Sequence, residues 1–281
     1  MKQGRGKKCS ICQRLLEEGF FADEKEANTW IMMKRVLVDD TPVWSLHEMV
    51  PADGVIRIKE YYKKQYVNKG GFKLEAAMEE FGIDAAGKIV LDCGASTGGF
   101  TDCWCQYGAQ QVYAVDVGYG QLAGKLANDS RVVNMEKTNL SDERLTELVP
   151  KPEMISLDLS YLSLKDALPI CKNILKEQGI VICLIKPLFE VESAEIRRSG
   201  NINQREILHD LLVDICDFCV KNDLSILGLT NSPVRGNKGT LEYLMAVYWN
   251  YDNLQNINSF YRDSIEDVLD ASFKLEKFKK G

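Results

Sequence analysis

The chain has 281 residues, 45% hydrophobic and 27% charged, with a net charge of −6. That is enough chain to bury a sizeable core in one or two domains, and its acidic balance excludes a protein that coats nucleic acid nonspecifically. No apolar run reaches the ~18 residues that span a bilayer, and no apolar h-region follows the basic start, so nine cysteines predict reduced thiols in a cytoplasmic protein without membrane attachment.

The charge is uneven. Residues 1–65 hold 12 Lys and Arg against 10 Asp and Glu, and residues 66–281 hold 23 against 31. Contact with nucleic acid must therefore come from local basic patches. Cys9-x-x-Cys12 is one C-x-x-C pair, and Cys216-x-x-Cys219, on the long helix predicted over 206–220, is the other. A structural zinc site needs four ligands, and neither a second pair nor a histidine lies near Cys9 and Cys12 in sequence, so no metal is expected.

In chain order, residues 9–33 predict two short helices. Leu15, Leu16 and Phe20 end the first, with Gly19 as a stop. Asp23 caps the second, with Ala27, Trp30, Ile31 and Met33 at helical spacing. Val36–Val38, a turn over 39–42 and a strand from Val43 follow. Residues 51–54 form another turn before an alternating strand over 55–59. This predicts a small α+β domain over 1–60. Residues 61–66 read as a charged, aromatic linker, 67–250 as the main domain and 251–281 as an appended helical extension.

The main domain opens with a predicted helix over 74–81, stopped by Gly82. From Lys88 on, strands alternate with helices, which predicts an α/β fold with a largely parallel sheet. The predicted strands are 89–91, 111–115, 131–135, 154–157, 179–185, 224–230 and 243–248, with a long helix over 206–220.

Residues 88–100 are the organising stretch. Ile89, Val90 and Leu91 form a buried strand that runs into a glycine-rich turn, and Thr101 is placed to cap the next helix. A strand, a tight turn and a helix N-terminus make a binding corner for a nucleotide-like ligand. The spacing discriminates between ligands. Ser96 stands where a dinucleotide fingerprint needs glycine, and Phe100 stands where a Walker loop needs lysine. The common remaining user is S-adenosylmethionine, which needs no phosphate cradle. Asp116 ends the second strand 22 residues after Gly94, close to the ~20 at which a carboxylate meets ribose hydroxyls. The expected cofactor residues are Asp92, Gly94, Ala95, Ser96, Gly98, Phe100 and Asp116, with Asn139 near the adenine.

Three polar residues sit at predicted strand ends, on the ligand side of such a sheet. They are Asp158, Lys186 and Glu242, and Lys73 precedes the corner. The two histidines, His47 and His209, lie in the small domain and on a helix, so a histidine base is not expected. A lysine can serve as base where neighbouring lysine charge and desolvation lower its pKa.

Several phrases carry a resemblance. They are Val-Asn-Lys-Gly-Gly-Phe-Lys-Leu from Val67, Leu-Asp-Cys-Gly-Ala-Ser-Thr-Gly-Gly-Phe-Thr-Asp from Leu91, Val-Tyr-Ala-Val-Asp-Val-Gly-Tyr-Gly-Gln-Leu from Val112, Asp-Leu-Ser-Tyr-Leu-Ser-Leu from Asp158 and Ile-Lys-Pro-Leu-Phe-Glu from Ile185. The chain up to about residue 250 thereby resembles the TlyA family, also labelled haemolysin A. The resemblance implies a Rossmann-like, FtsJ-like domain that methylates ribose 2′-hydroxyls of ribosomal RNA, with Lys73, Asp158, Lys186 and Glu242 as its Lys-Asp-Lys-Glu tetrad. Residues 1–60 are similar to the small RNA-binding fold of a small-subunit ribosomal protein, which implies RNA contacts by Lys7, Lys8, Lys34 and Arg35. The chain departs from the family at Asn68-Lys69, where Ser-Arg is usual, and over 196–202. An RNA-binding assembly factor with an inert methyltransferase fold is the alternative, and a membrane-lytic haemolysin the more distant one.

Overall fold

The computed structural model describes residues 8–21, 23–32, 36–39, 41–58, 66–191, 193–199, 202–236, 239–249 and 261–275. The chain divides into two compact units, residues 1–65 and 66–281.

The first unit contains β1 (Lys8–Ser10), α1 (Ile11–Glu17), α2 (Glu24–Met32), β2 (Val36–Val38), β3 (Thr41–Pro42), β4 (Met49–Pro51) and β5 (Ile56–Ile58). β2 lies between β3 and β5, antiparallel to both, and β1 pairs antiparallel with β4. Ile11, Leu15, Ile31, Val36 and Val50 fill its core. Two expectations are corrected. Residues 8–10 form a strand ahead of the first helix, with Cys9 opposite Val50. The strand expected from Val43 is instead the short pair Thr41–Pro42, followed by loop to Met49. Both strands have two or three residues, too few for alternation to show, and β1 pairs across 41 positions of sequence. Of the expected RNA contacts, Lys8 is exposed on β1. Lys7, Lys34 and Arg35 lie outside the described residues, as does most of the expected linker.

The second unit contains α3 (Gly70–Phe81), β6 (Ile89–Cys93), α4 (Gly99–Gln106), β7 (Gln111–Asp116), α5 (Gly124–Ala127), β8 (Val132–Glu136), β9 (Met154–Leu157), α6 (Leu164–Ile174), β10 (Ile180–Ile185), α7 (Pro187–Glu190), α8 (Ala194–Ser199), α9 (Arg205–Lys221), β11 (Leu224–Asn231), β12 (Tyr243–Trp249) and α10 (Tyr261–Phe273). Its seven-stranded sheet has the order β11-β12-β10-β9-β6-β7-β8. The strands from β10 to β8 are parallel, and β12 runs antiparallel to both of its neighbours.

Strand alternation divides the core between the two faces. Leu91, Tyr113, Ile155 and Val181 pack with α6, α9 and α10. Val90, Val112, Ile182 and Leu244 pack with α3 and α4. The chain leaves β6 toward β7 on one side and returns to β9 on the other. The carboxyl ends of β6 and β9 are therefore the switch point at which such sheets bind ligands. Because β12 is reversed, its first residue, Tyr243, lies opposite Ile185 at the end of β10. This brings the start of β12 to the same rim. No described helix is long and apolar enough to cross a membrane.

Two helix starts differ from the sequence reading. α3 begins at Gly70, not Leu74, because the Asn68 carboxamide accepts the Gly70 N–H at 2.6 Å. Lys73 is therefore in the first turn of the helix. α4 begins at Gly99 with Gly98 as its N-cap at φ 98°, so Thr101 lies inside the helix. Its hydroxyl donates to Asp92 Oδ2 at 2.6 Å instead of capping.

Candidate active site

The corner after β6 is shaped by glycine. Gly94 has φ 88°, and a Cβ there would stand 2.4 Å from the Asp158 carbonyl oxygen. Only a residue without a side chain lets β6 and β9 close this tightly. Gly99 faces the Asn68 side chain in the same way, where a Cβ would meet Oδ1 at 2.0 Å. The Asn68 amide in turn donates to Thr97 Oγ1 at 2.5 Å. Asn68 therefore ties the start of α3 to the glycine corner.

Asp116 accepts the Ser96 N–H on Oδ2 at 2.8 Å and the Gly118 N–H on Oδ1 at 2.7 Å. Both oxygens keep lone pairs for further donors. A cavity of about 330 Å3 opens there, between Gly94, Ser96 and Asp116 on one side and Leu159 and Tyr161 on the other. Val117 and Tyr161 are 54% and 50% exposed and leave apolar surface uncovered. A carboxylate beside an uncovered apolar wall, without a phosphate cradle, fits an adenosine carried by a sulfonium amino acid. Val117, Gln121, Thr138, Ser160 and Tyr161 all border this cavity, yet none was singled out from sequence. Only Val117 carries a usable sequence signal, as the residue directly after Asp116.

The expected cofactor residues do not all meet there. Gly94 and Ser96 line this cavity and the adjoining one, Asp116 lines the first, and Ala95 lines the second. Asp92 is fully buried. It accepts hydroxyl hydrogen bonds from Thr101 and from Ser156, the latter at 2.8 Å, and Ser156 itself accepts the Trp104 indole N–H. It braces the corner from beneath and borders neither cavity. Burial pushes its carboxyl up to about 7, against the two hydroxyl bonds that favour the charge. Gly98 shapes the N-cap of α4, where a Cβ would strike Leu126 at 2.3 Å. Phe100 packs in the core and also borders the cleft. Asn139 is exposed and spends Oδ1 on the N–H and hydroxyl of Ser141, while its neighbour Thr138 lines the cavity.

The adjoining cavity, about 450 Å3, shares Gly94, Ser96, Asp158 and Lys186 with the first and adds Lys73 and Glu242. Both volumes lie in the range of about 300–1,000 Å3 typical of small-molecule sites. The four candidate catalytic residues thus meet from α3 and from the ends of β9, β10 and β12. They form two ion pairs. Lys73 Nζ lies 2.5 Å from Glu242 Oε2, and Lys186 Nζ lies 2.5 Å from Asp158 Oδ1. Lys186 also donates to Ser160 Oγ at 2.8 Å. Burial pushes the Glu242 carboxyl above its ordinary value, and the Lys73 ammonium opposes that rise. Each lysine is matched to a carboxylate, and both lysines line the same cavity. His209 lies on α9 beside Glu266 of α10, away from this cluster. No group of three His, Cys, Asp or Glu among the described residues is placed to hold a metal.

Residues 66–248 match the family described as FtsJ-like methyltransferase. The chain is 34% identical over 268 residues to YqxC of Bacillus subtilis, across 95% of each protein. It is 29% identical over 239 residues to the 16S/23S rRNA (cytidine-2′-O)-methyltransferase TlyA of Mycobacterium tuberculosis, across 85% of this chain and 89% of that one. Among solved structures it is similar to a protein of Streptococcus thermophilus that carries a hemolysin name. That likeness has a TM-score of 0.69 and 31% identity, across 95% of this chain and 96% of the other.

Proposed function

The chain belongs to the FtsJ-like methyltransferase family, and from that premise we propose that it transfers a methyl group from S-adenosylmethionine to a ribose 2′-hydroxyl of ribosomal RNA. One observation carries the reading. Two largely enclosed lysine–carboxylate pairs line a single cleft that opens beside the glycine corner. S-adenosylmethionine supplies an electrophilic methyl group. Gly94, Ala95, Ser96 and Asp116 would hold the cofactor at the ends of β6 and β7, and Val117 and Tyr161 offer apolar surface that would cover its purine.

A 2′-hydroxyl is a poor nucleophile until its proton has somewhere to go. Lys186 is the base that takes that proton on Nζ, and Asp158 stabilises the ammonium that results. Ser160 Oγ fixes the direction of Nζ. Lys73 and Glu242 orient the ribose, with Glu242 holding the Lys73 ammonium in the cleft. Positioning for in-line attack supplies a large part of the rate.

The likeness to a relative named for both 16S and 23S rRNA supports ribosomal RNA as the substrate. Ribosomal subunits are then the natural partners and the cytoplasm the place of action. Residues 1–65, with Lys7, Lys8, Lys34 and Arg35, provide the RNA-binding unit. Each phosphate contact from it adds about 0.7–0.9 to the salt slope of binding.

The test is direct. The protein is incubated with labelled S-adenosylmethionine and, separately, 16S and 23S RNA and assembled subunits lacking the modification. The RNA is digested and its nucleosides are identified by mass spectrometry. A 2′-O-methylnucleoside in either RNA supports the reading, and label confined to bases or to protein refutes it.

A further inference from the structure

Glu242 stands directly after the loop that joins β11 to β12, and this loop is pressed against its carboxylate. A Cβ on Gly236 would stand 2.0 Å from Glu242 Oε1. The position of the loop therefore sets the position of Glu242. The loop closes on itself through the Gly236 N–H donating to the Thr240 carbonyl at 2.9 Å. Asn203, just before α9, holds its far side, accepting the Leu241 N–H at 3.0 Å and donating to the Gly239 carbonyl at 3.2 Å.

Arg235 holds the near side. Its Nη1 donates to the Gly239 carbonyl at 3.1 Å and its Nη2 to the Leu275 carbonyl at 3.0 Å, just past the end of α10. One guanidinium thus ties the loop to the C-terminal helix. Its Nε is buried without an acceptor among the described residues. An unsatisfied buried donor carries a desolvation penalty, so the side chain is placed at some expense to stability. Lysine could not reproduce the fork, because an ammonium is a point donor and a guanidinium spans two acceptors.

The helix at the other end of the tie is itself anchored. Arg205 of α9 pairs with Asp270 at 2.7 Å and also with Glu266. Ile265 and Leu269 are fully buried, and the Ser272 hydroxyl lies 3.4 Å from that of Tyr243, the residue after Glu242. α10 lies beyond residue 248, where the match to the methyltransferase family ends.

We propose that Arg235 is a positioning residue for methyl transfer, through which α10 holds Gly236, Gly239 and Thr240 in place beside Glu242 and keeps the Lys73–Glu242 pair aligned. The proposal rests on the reading of Glu242 as part of the catalytic cluster. Full-length Arg235→Ala, Arg235→Lys, Glu242→Gln and the Arg235→Ala/Glu242→Gln double variant are compared for kcat, KM for ribosomal RNA and S-adenosylmethionine affinity.

Misplacing a catalytic group by a fraction of an ångström costs on the order of tenfold in rate. Arg235→Ala should therefore lose about tenfold in kcat, with KM and cofactor affinity within twofold of wild type. Arg235→Lys, which keeps the charge but reaches one carbonyl at a time, should show a smaller loss of the same kind. This second variant carries the test if Arg235→Ala does not fold. In the Glu242→Gln background, Arg235→Ala should cost less than about twofold, because coupled residues are not additive.

Equal losses in both backgrounds would overturn the proposal. So would wild-type kcat in both Arg235 variants, or a loss confined to KM for RNA, which would make Arg235 a substrate contact. If Glu242→Gln alone keeps wild-type turnover, the reading of the cluster fails and takes this proposal with it. If Glu242→Gln is inactive while the Arg235 variants turn over normally, only the proposal fails.

Discussion

Lys73 and Glu242 stand 169 residues apart in the chain and form one ion pair, Nζ to Oε2 at 2.5 Å, with side chains only 11% and 7% exposed. Removing one member of such a pair strands the other charge, at a cost of about 3–5 kcal/mol. Lys73→Met should lower the melting temperature and abolish most turnover. Adding Glu242→Gln removes the stranded carboxylate, so stability should recover in part while turnover stays low. Thermal melts beside methyl-transfer assays check this. Recovery of both together would mean that the pair is structural only.

Gly94 admits no side chain. Its φ of 88° is in the left-handed region, and a Cβ would lie 2.4 Å from the Asp158 carbonyl oxygen. The left-handed conformation alone costs about 1–2 kcal/mol for a residue with a Cβ. Relieving the clash moves Asp158 away from Lys186. Gly94→Ala should therefore lose both S-adenosylmethionine binding, measured by calorimetry, and turnover. Wild-type affinity in this variant would show that the corner is not the cofactor site.

The strands of the large sheet, the glycine corner and the residues at the strand ends were legible in the sequence because each depends on local pattern. Ile89 to Leu91 announces its strand by apolar run alone, and Asp158, Lys186 and Glu242 each sit one position beyond or before a readable strand. What was not legible depends on partners distant in sequence. The β1–β4 pair is set by Cys9 facing Val50, and no periodicity in three residues reveals it. Asp92 reads as a ligand-facing carboxylate until Thr101 and Ser156 close over it. The pairing of Lys73 with Glu242 follows from the reversed direction of β12, which brings Glu242 to the rim, while Lys186 meets Asp158 because β10 and β9 are parallel neighbours that end together. Arg235 gave no signal, since its partner Leu275 lies 40 residues away.

Asp92 makes stability depend on pH. Its carboxyl rises from an ordinary 3.8 to about 7 in the folded chain, first because of burial. Between those values the folded state binds the proton more tightly than the unfolded state. The contribution is therefore present below the unfolded value and is lost as pH rises through about 7. Burial likewise raises Glu190 to about 7, with the same sign. Asp92→Asn removes one of these ionisations. The melting temperature of the wild type should fall relative to Asp92→Asn from about pH 5 to about pH 8. Parallel melting curves across that range would contradict the account of a buried, proton-binding Asp92.

The role of Lys186 is the centre of the account. Its Nζ lies 2.5 Å from Asp158 Oδ1 and 2.8 Å from Ser160 Oγ, at the junction of the two cavities. The decisive measurement is single-turnover transfer of labelled methyl to ribosomal RNA by Lys186→Ala, with cofactor affinity determined on the same preparation. The account predicts wild-type affinity for S-adenosylmethionine and a loss of at least about 100-fold in the transfer rate, within the range for a general base. A rate within a few-fold of wild type, with 2′-O-methylation intact, would contradict it.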